Sequence, residues 1–300
     1  CSVCWICRQP ARRREMPLDL PAGLDAAEIQ TLIDTAIAED IGAGDITSEA
    51  VIPPDTKFDG VMSARQDMVC AGLPIAKAIF ETFSADIKFE ALATDGDHLA
   101  AGADLARLGG PALALLTAER TAINMLQHLS GIATLTAKYA DAIAGTGTIL
   151  LDTRKTTPGL RTLQKYATRM GGATNHRMRL DDGVLIKDNH IVVAGGVAEA
   201  IRRARAKGLS DIEVECDTLE QVIEALSAGA DSILLDNMAP PLMAEAVTMI
   251  DGRVPTEASG NVKLETIREI AETGVTYASA GRITYAAPAI DIGLDWSAAP

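Results

Sequence analysis

No apolar run in this 300-residue chain approaches the ~20 residues that a membrane-spanning helix needs; the longest lies around Pro111 to Leu116. Basic residues are scarce too. Lys and Arg total 27 against 41 Asp and Glu, a net charge of −14, which excludes a general nucleic-acid coat because phosphate binding needs a basic face. Cysteines number five, three of them at the start as Cys1, Cys4 and Cys7. That spacing lacks a fourth ligand for an iron–sulfur cluster, and the following Arg12–Arg14 stand on the wrong side of the apolar stretch for a secretion signal. Residues 1–16 are therefore expected to be a disordered or expression-derived extension, with Met16 as the natural start. Cys70 and Cys216 read as reduced thiols of a cytoplasmic protein.

What is present has the balance of a globular protein. Hydrophobic residues make up 48% and charged residues 23%, which excludes wholesale disorder and leaves core enough for one large domain or two ordinary ones. A helix is expected from Asp25, capped by it and by Glu28, with Ile29, Leu32, Ile33, Ala36 and Ile37 on one face and Gly42 as the stop. Short extended pieces near 60–63 and 87–92, broken by Asp95-Gly96-Asp97, suggest a small α+β unit. A long helical pattern then runs from Leu115 to Ile143, with Gly131 as a candidate break. Arg120 falls in its first turn, where the helix dipole disfavours a cation. The bland reading is an exposed arginine; the sharper one is an arginine aimed at an anion.

Beyond Gly145, strand and helix alternate. Short apolar runs end at Asp152, Lys187, Glu215, Asp236, Glu257 and Ser279, and the last four ends are spaced 21, 21 and 22 residues apart. A β–loop–α unit of that length, repeated, builds a parallel α/β barrel, whose C-terminal strand ends carry the active site. One polar strand end is an accident; six in series are not core packing.

Between Asp152 and His190 the chain reverses its sign, with eight Arg and Lys against four Asp, and His176 and His190 besides. Arg161, Lys165 and Arg169, four apart, read as a solvated helix face. Arg154-Lys155 and His176-Arg177 follow a strand end and a Gly-Gly turn, so they should face the barrel mouth. Guanidinium forks grip carboxylates and phosphates, which points to a substrate with several negative charges. Glu215 and Asp236 supply the opposite sign, for a divalent cation, ribose hydroxyls or a developing cation; a structural salt bridge with Lys187 competes. Ser259-Gly260 and Ser279-Ala280-Gly281 offer backbone N–H groups for a phosphate.

The segments Ala118–Thr121, Gln127–Thr134, Leu151–Gly159, Asn175–Arg177, Leu185–His190, Leu234–Asn237 and Glu257–Gly260 resemble the quinolinate phosphoribosyltransferase family, and Glu39–Thr47 and Ala287–Asp291 are similar to it as well. The resemblance implies an incomplete, seven-stranded TIM-like α/β barrel over 131–282. It also implies an N-terminal α/β sandwich-like domain over 17–130, joined by the tail 283–300. It implies transfer of ribose 5-phosphate from phosphoribosyl pyrophosphate to quinolinate with loss of CO2, giving nicotinate mononucleotide in NAD biosynthesis. Mg2+ would enter with phosphoribosyl pyrophosphate near Glu215 and Asp236, with no direct protein ligand and no organic cofactor. Arg154, His176, Arg177 and Arg120 would clamp the dicarboxylate, Arg120 arriving from the other subunit of a homodimer that could assemble further. Lys155 and Lys187 would balance charge, Glu215 and Asp236 would stabilise the sugar cation, and Thr153, Ser259, Gly260, Asn261 and Gly281 would complete substrate binding.

Four positions depart from the family pattern at the phosphate end. Asn261 stands where a second Gly is usual, Ala280 where Val is common, Arg282 where a small residue is usual, and Tyr285 where His is common. Three other readings compete: a molybdenum-locus paralogue, a Schiff-base aldolase using Lys187, and a non-catalytic phosphometabolite-binding protein.

Overall fold

Asp25 opens the first helix by accepting the Glu28 N–H at 2.9 Å. That helix, α1 (Ala26–Ile41), buries Ile29, Ile33 and Ile37 and ends at Gly42, whose φ of 56° lies in the left-handed region. The chain is described by a computed structural model over residues 18 and 20–298, so the expectations for residues 1–16 lie outside the described residues. It divides into two compact units, one running to His128 and taking up the segment from Ile290, the other Leu129–Ala289.

The first unit continues with α2 (Ile46–Val51), β1 (Lys57–Ala64), β2 (Met68–Val69), α3 (Leu73–Phe83), β3 (Lys88–Ala91), β4 (His98–Leu99) and β5 (Asp104–Pro111). Its main sheet is antiparallel, with β1 between β5 and a strand from the chain's end. Phe80, Ile75 and Ile79 of α3 are fully buried in this unit. Burying each such side chain contributes about 1.5–3 kcal/mol.

Helix α4 (Ala112–Ala142) follows β5 directly, and the unit boundary falls within it. It starts three residues before the expected Leu115, so Arg120 is its ninth residue and sits in the third turn. The dipole argument for Arg120 is thereby withdrawn, since the effect fades within one turn. Nor does Gly131 break the helix. A Cβ there would overlap the Pro288 carbonyl, so glycine is present for close approach.

The second unit alternates strand and helix: β6 (Ile149–Leu151), α5 (Arg161–Met170), β7 (Val184–Ile186), α6 (Asp188–Ala194), α7 (Val197–Ala206), β8 (Ile212–Cys216) and α8 (Leu219–Ser227). It goes on through β9 (Ser232–Asp236), α9 (Pro240–Ile250), β10 (Thr256–Ser259), α10 (Ile267–Ala271), β11 (Tyr277–Ser279) and α11 (Arg282–Tyr285). The final strand, β12 (Ile292–Ala298), pairs with β1 in the first unit.

Six strands form one parallel sheet in the order β6-β11-β10-β9-β8-β7. A parallel bridge between Leu151 and Thr174 adds a seventh strand position beyond β6. Among the described residues no pairing joins that position to β7, which leaves a seam where an eighth strand would close the barrel. The two-residue alternation of a strand explains how this sheet carries a site. On β8, Ile212, Val214 and Cys216 join the core against Ile201, Val222 and Ala225, so Glu213 and Glu215 take the opposite face. On β9 the same rule buries Ile233 and Leu235 and turns Leu234 and Asp236 the other way. Glu257 is corrected from a strand end to the second residue of β10; the end is Ser259.

Candidate active site

Asp152, directly after β6, is fully buried, and so is Lys165 of α5. They form an ion pair, and Asp152 also accepts from Thr168 Oγ1 at 2.8 Å and Asn175 Nδ2 at 2.6 Å. The same pair holds the backbone of His176 from both sides: its N–H donates to Asp152 Oδ1 at 2.8 Å, and its carbonyl accepts from Lys165 Nζ at 2.9 Å. Burial lowers the Lys165 pKa, with Asp152 opposing the shift. Asp152 is therefore an internal anchor that aims its neighbours, not a group facing substrate.

The expected solvated face of α5 is corrected too. Besides the buried Lys165, Arg161 donates from Nε to Thr156 Oγ1 at 3.0 Å and from Nη1 to the Met178 carbonyl at 3.1 Å, tying two loops together. Arg169 lies over the Tyr166 ring, 5.7 Å from its centroid. Spacing of four placed these side chains on one face but did not reveal that the face is covered.

A cavity of about 490 Å³ opens at the C-terminal ends of the strands. Thr153, Arg154, Lys155, His176, Arg177 and Lys187 line it together with Glu215, Asp236, Glu257, Ser259, Gly260 and Asn261. Every sequence-proposed site residue is among these except Gly281 and Arg120. Gly281 lines a small adjoining cavity with Thr153, Lys155, Asn261 and Arg282. Arg120 is exposed on α4 in the first unit.

Cations and carboxylates share this cavity, and two arginines on one wall have no ion pair among the described residues. Arg154 Nε is buried and donates to nothing among the described residues. Arg177 donates from Nη1 to the Gly183 carbonyl at 2.8 Å, and its pKa is lowered by burial and then by Arg154. Two guanidinium groups on one wall, one of them desolvated and the other with a buried, unpartnered Nε, call for an anion. Facing them, Lys187 Nζ lies 2.9 Å from Glu215 Oε2, so the competing salt bridge does form, and it forms inside the cavity. Asp236 has a raised pKa, first from burial and then from Glu215 and Asp217, with Lys187 opposing.

At the phosphate end, Gly260 and Asn261 both have left-handed φ, 85° and 52°. A Cβ on Gly260 would overlap Asn237, so no other residue fits there. Asparagine is among the few side chains that tolerate this backbone at position 261. Its Nδ2 donates to Asn237 Oδ1 at 3.1 Å. Thr284 Oγ1 of α11 donates to the Lys155 carbonyl at 2.8 Å, fixing the Thr153–Lys155 loop.

Sequence reading missed Glu213 and Asn237 and left Glu257 without a role. His176 Nε2 lies 3.3 Å from Glu213 Oε2 and 3.2 Å from Glu257 Oε2. The alternation Ile212-Glu213-Val214-Glu215-Cys216 was the available signal, because two glutamates two apart share a strand face. A chain with Glu215 in its site therefore carries Glu213 on the same side.

Models of two domains match the chain: quinolinate phosphoribosyl transferase, N-terminal domain, at residues 45–130, and the C-terminal domain of the same enzyme at residues 132–295. The chain is 42% identical over 288 aligned positions to the chloroplastic nicotinate-nucleotide pyrophosphorylase (carboxylating) of Arabidopsis thaliana, covering 89% of this chain and 82% of that one. It is 40% identical over 270 to a probable nicotinate-nucleotide pyrophosphorylase (carboxylating) of Bacillus subtilis, covering 89% and 93%. The crystal structure of NadC from Streptococcus pyogenes superposes with a TM-score of 0.89 at 36% identity, over 93% of this chain and 100% of that one.

Proposed function

We infer that this chain, which belongs to the quinolinate phosphoribosyl transferase family, binds a pyridine dicarboxylate against the Arg154, His176 and Arg177 wall of its cavity. It is a phosphoribosyltransferase of NAD biosynthesis. It moves ribose 5-phosphate from phosphoribosyl pyrophosphate to the ring nitrogen of quinolinate, and CO2 is lost to give nicotinate mononucleotide.

The observation that carries the site assignment is that Arg154 and Arg177 line the cavity with no ion pair among the described residues, while Lys187 and His176 are each paired with a glutamate. Arg154 Nε, buried and without a partner among the described residues, needs an acceptor, and a ring carboxylate supplies one. Arg177 takes the second carboxylate, with His176 beside it. Lys155 reaches toward the adjoining cavity of Ser259, Gly260, Asn261 and Gly281, which takes the 5-phosphate through backbone N–H groups. Departure of pyrophosphate leaves an oxocarbenium-like sugar, and Glu215 and Asp236 stabilise that charge while accepting the ribose hydroxyls. Alkylation makes the ring nitrogen cationic, so the carbanion left by decarboxylation is an ylide and the ring is its own electron sink.

Mg2+ fits this donor set. The Asp236 pKa is raised first by burial and then by Glu215 and Asp217, and a hydrated divalent ion would offset that accumulation of negative charge. Glu215 and Asp236 would accept hydrogen bonds from its water shell, and no side chain is assigned as a direct ligand. The ion supplies charge neutralisation to the pyrophosphate. Arg120, exposed and outside the cavity lining, completes the dicarboxylate clamp of a neighbouring subunit in a homodimer.

Incubation of the purified chain with quinolinate labelled in its 2-carboxylate, phosphoribosyl pyrophosphate and Mg2+ tests the reading. CO2, pyrophosphate and nicotinate mononucleotide are expected in equal amounts; quinolinate binding without turnover would reduce the protein to a sensor.

A further inference from the structure

His176 lines two cavities. One is the substrate cavity; the other, of about 460 Å³, opens at the seam of the sheet between residues 175–178 and 183–185. Glu213 lines only the seam cavity, and Glu257 only the substrate cavity. The three side chains meet: Nε2 of His176 is 3.3 Å from Glu213 and 3.2 Å from Glu257, and their reactive atoms all lie within 4.8 Å of one another. Their side chains are 17%, 13% and 3% exposed, so the contact is largely shielded from solvent, and it links a residue of the seam cavity to one of the substrate cavity.

We propose that Glu213, His176 and Glu257 form a proton relay from the seam cavity to the substrate cavity, which supplies the proton that replaces the lost carboxylate. The proposal rests on the phosphoribosyltransferase reading above. The bond from the ring carbon to its carboxylate breaks, CO2 leaves, and the electron pair stays on the carbon. A C–H bond then forms with a proton from the Glu257 carboxyl, and Glu257 recovers its proton from Glu213 across the hydrogen bond between their two carboxyl groups, while the His176 Nε2–H holds both in place. Glu213 is recharged by solvent in the seam. No oxidant or other reactant is needed.

The hydrogen bonding fixes where the stored proton lies. The Arg177 backbone N–H donates to His176 Nδ1 at 2.8 Å, which keeps a lone pair on that nitrogen and the ring hydrogen on Nε2. One N–H faces two carboxylates, and two buried carboxylates this close do not both ionise readily. The ring is thereby neutral, and the extra proton belongs to the carboxyl pair: the Glu213 pKa is raised, first by burial, with the His176 hydrogen bond opposing and Glu257 adding to it. The cluster therefore keeps a proton that an isolated carboxyl would release. The other charged groups around the cluster are Arg177, Asp182 and Asp211 in the seam cavity and Arg154, Lys155, Lys187, Glu215 and Asp236 in the substrate cavity.

Single-turnover measurement separates the steps. Until a proton arrives, the carbanion recombines with CO2, so a blocked relay delays CO2 without delaying pyrophosphate to the same degree. In the wild type the two products should appear together. In Glu213→Gln, CO2 should lag pyrophosphate by tenfold or more, with an enlarged solvent deuterium isotope effect on the CO2 phase. Ser232→Met narrows the seam cavity from a residue outside the cluster and should produce the same lag in milder form, even if Glu213→Gln folds poorly. If both folded variants release CO2 and pyrophosphate in step, the relay is wrong. A wild type that releases no pyrophosphate contradicts the underlying reading instead.

Discussion

Lys165 and Asp152 are paired inside the protein, 0% exposed, and between them they hold the N–H and the carbonyl of His176. The site's central imidazole is thus placed by a salt bridge that never meets substrate. Removing one partner leaves an uncompensated buried charge, which costs about 3–5 kcal/mol. Lys165→Met and Asp152→Asn should each lower stability by that amount in urea unfolding. A loss below ~1 kcal/mol in both would show that the pair does not hold the loop.

Arg177→Ala and Arg154→Ala should each reduce kcat/KM for quinolinate by about 2–4 kcal/mol of transition-state stabilisation. Arg203→Ala, at an exposed ion pair with Glu199 on α7, should change it by less than ~1 kcal/mol. Steady-state kinetics on the three variants decide the matter, and equal effects would mean that overall charge, not the clamp, governs binding.

The pH dependence of stability has a definite sign. The pKa of Glu213 is raised in the folded state above its ordinary 4.5, first by burial and then by Glu257 against the opposing His176 hydrogen bond. Stability from the retained proton is therefore complete below the unfolded value and is lost as pH rises through the folded one. Unfolding free energy should decline across this window at up to about 1.4 kcal/mol per pH unit. Glu257→Gln removes the neighbouring carboxylate and should flatten that slope. Parallel stability curves for wild type and variant, measured by urea titration, would contradict the assignment.

Much of this arrangement was legible in the sequence because the barrel repeat is regular. Ends at Asp236 and Ser279, and Glu215 one residue before the end of β8, follow from a unit of 21 or 22 residues and the rule that strand ends carry the site. The failures have physical causes. Charge counting cannot tell a solvated arginine face from a covered one, so Lys165 was misread. The start of α4 was hidden because the apolar run beginning at Pro111 spans the end of β5 and the first helical turn, and that displaced Arg120 by two turns. Glu213 was passed over because only strand ends were searched, whereas the seam exposes a strand's second residue.

The proposed placement of Arg120 in a neighbouring site predicts complementation. Arg120→Ala and Lys187→Ala should each be nearly inactive alone. After mixing and reassociation, half of the dimers are heterodimers, each with one intact site and one carrying both lesions, so about a quarter of wild-type activity should return. No recovery, with heterodimers shown to form, would place Arg120 in its own subunit's site or in none.

The most direct test of the dicarboxylate clamp compares quinolinate with nicotinate, which lacks one carboxylate, as acceptors of the phosphoribosyl group at equal phosphoribosyl pyrophosphate and Mg2+. Nicotinate leaves Arg154 or Arg177 unpaired in a desolvated wall, so pyrophosphate release from it should be slower by roughly 100-fold or more in kcat/KM. Comparable rates with the two acceptors would contradict the account.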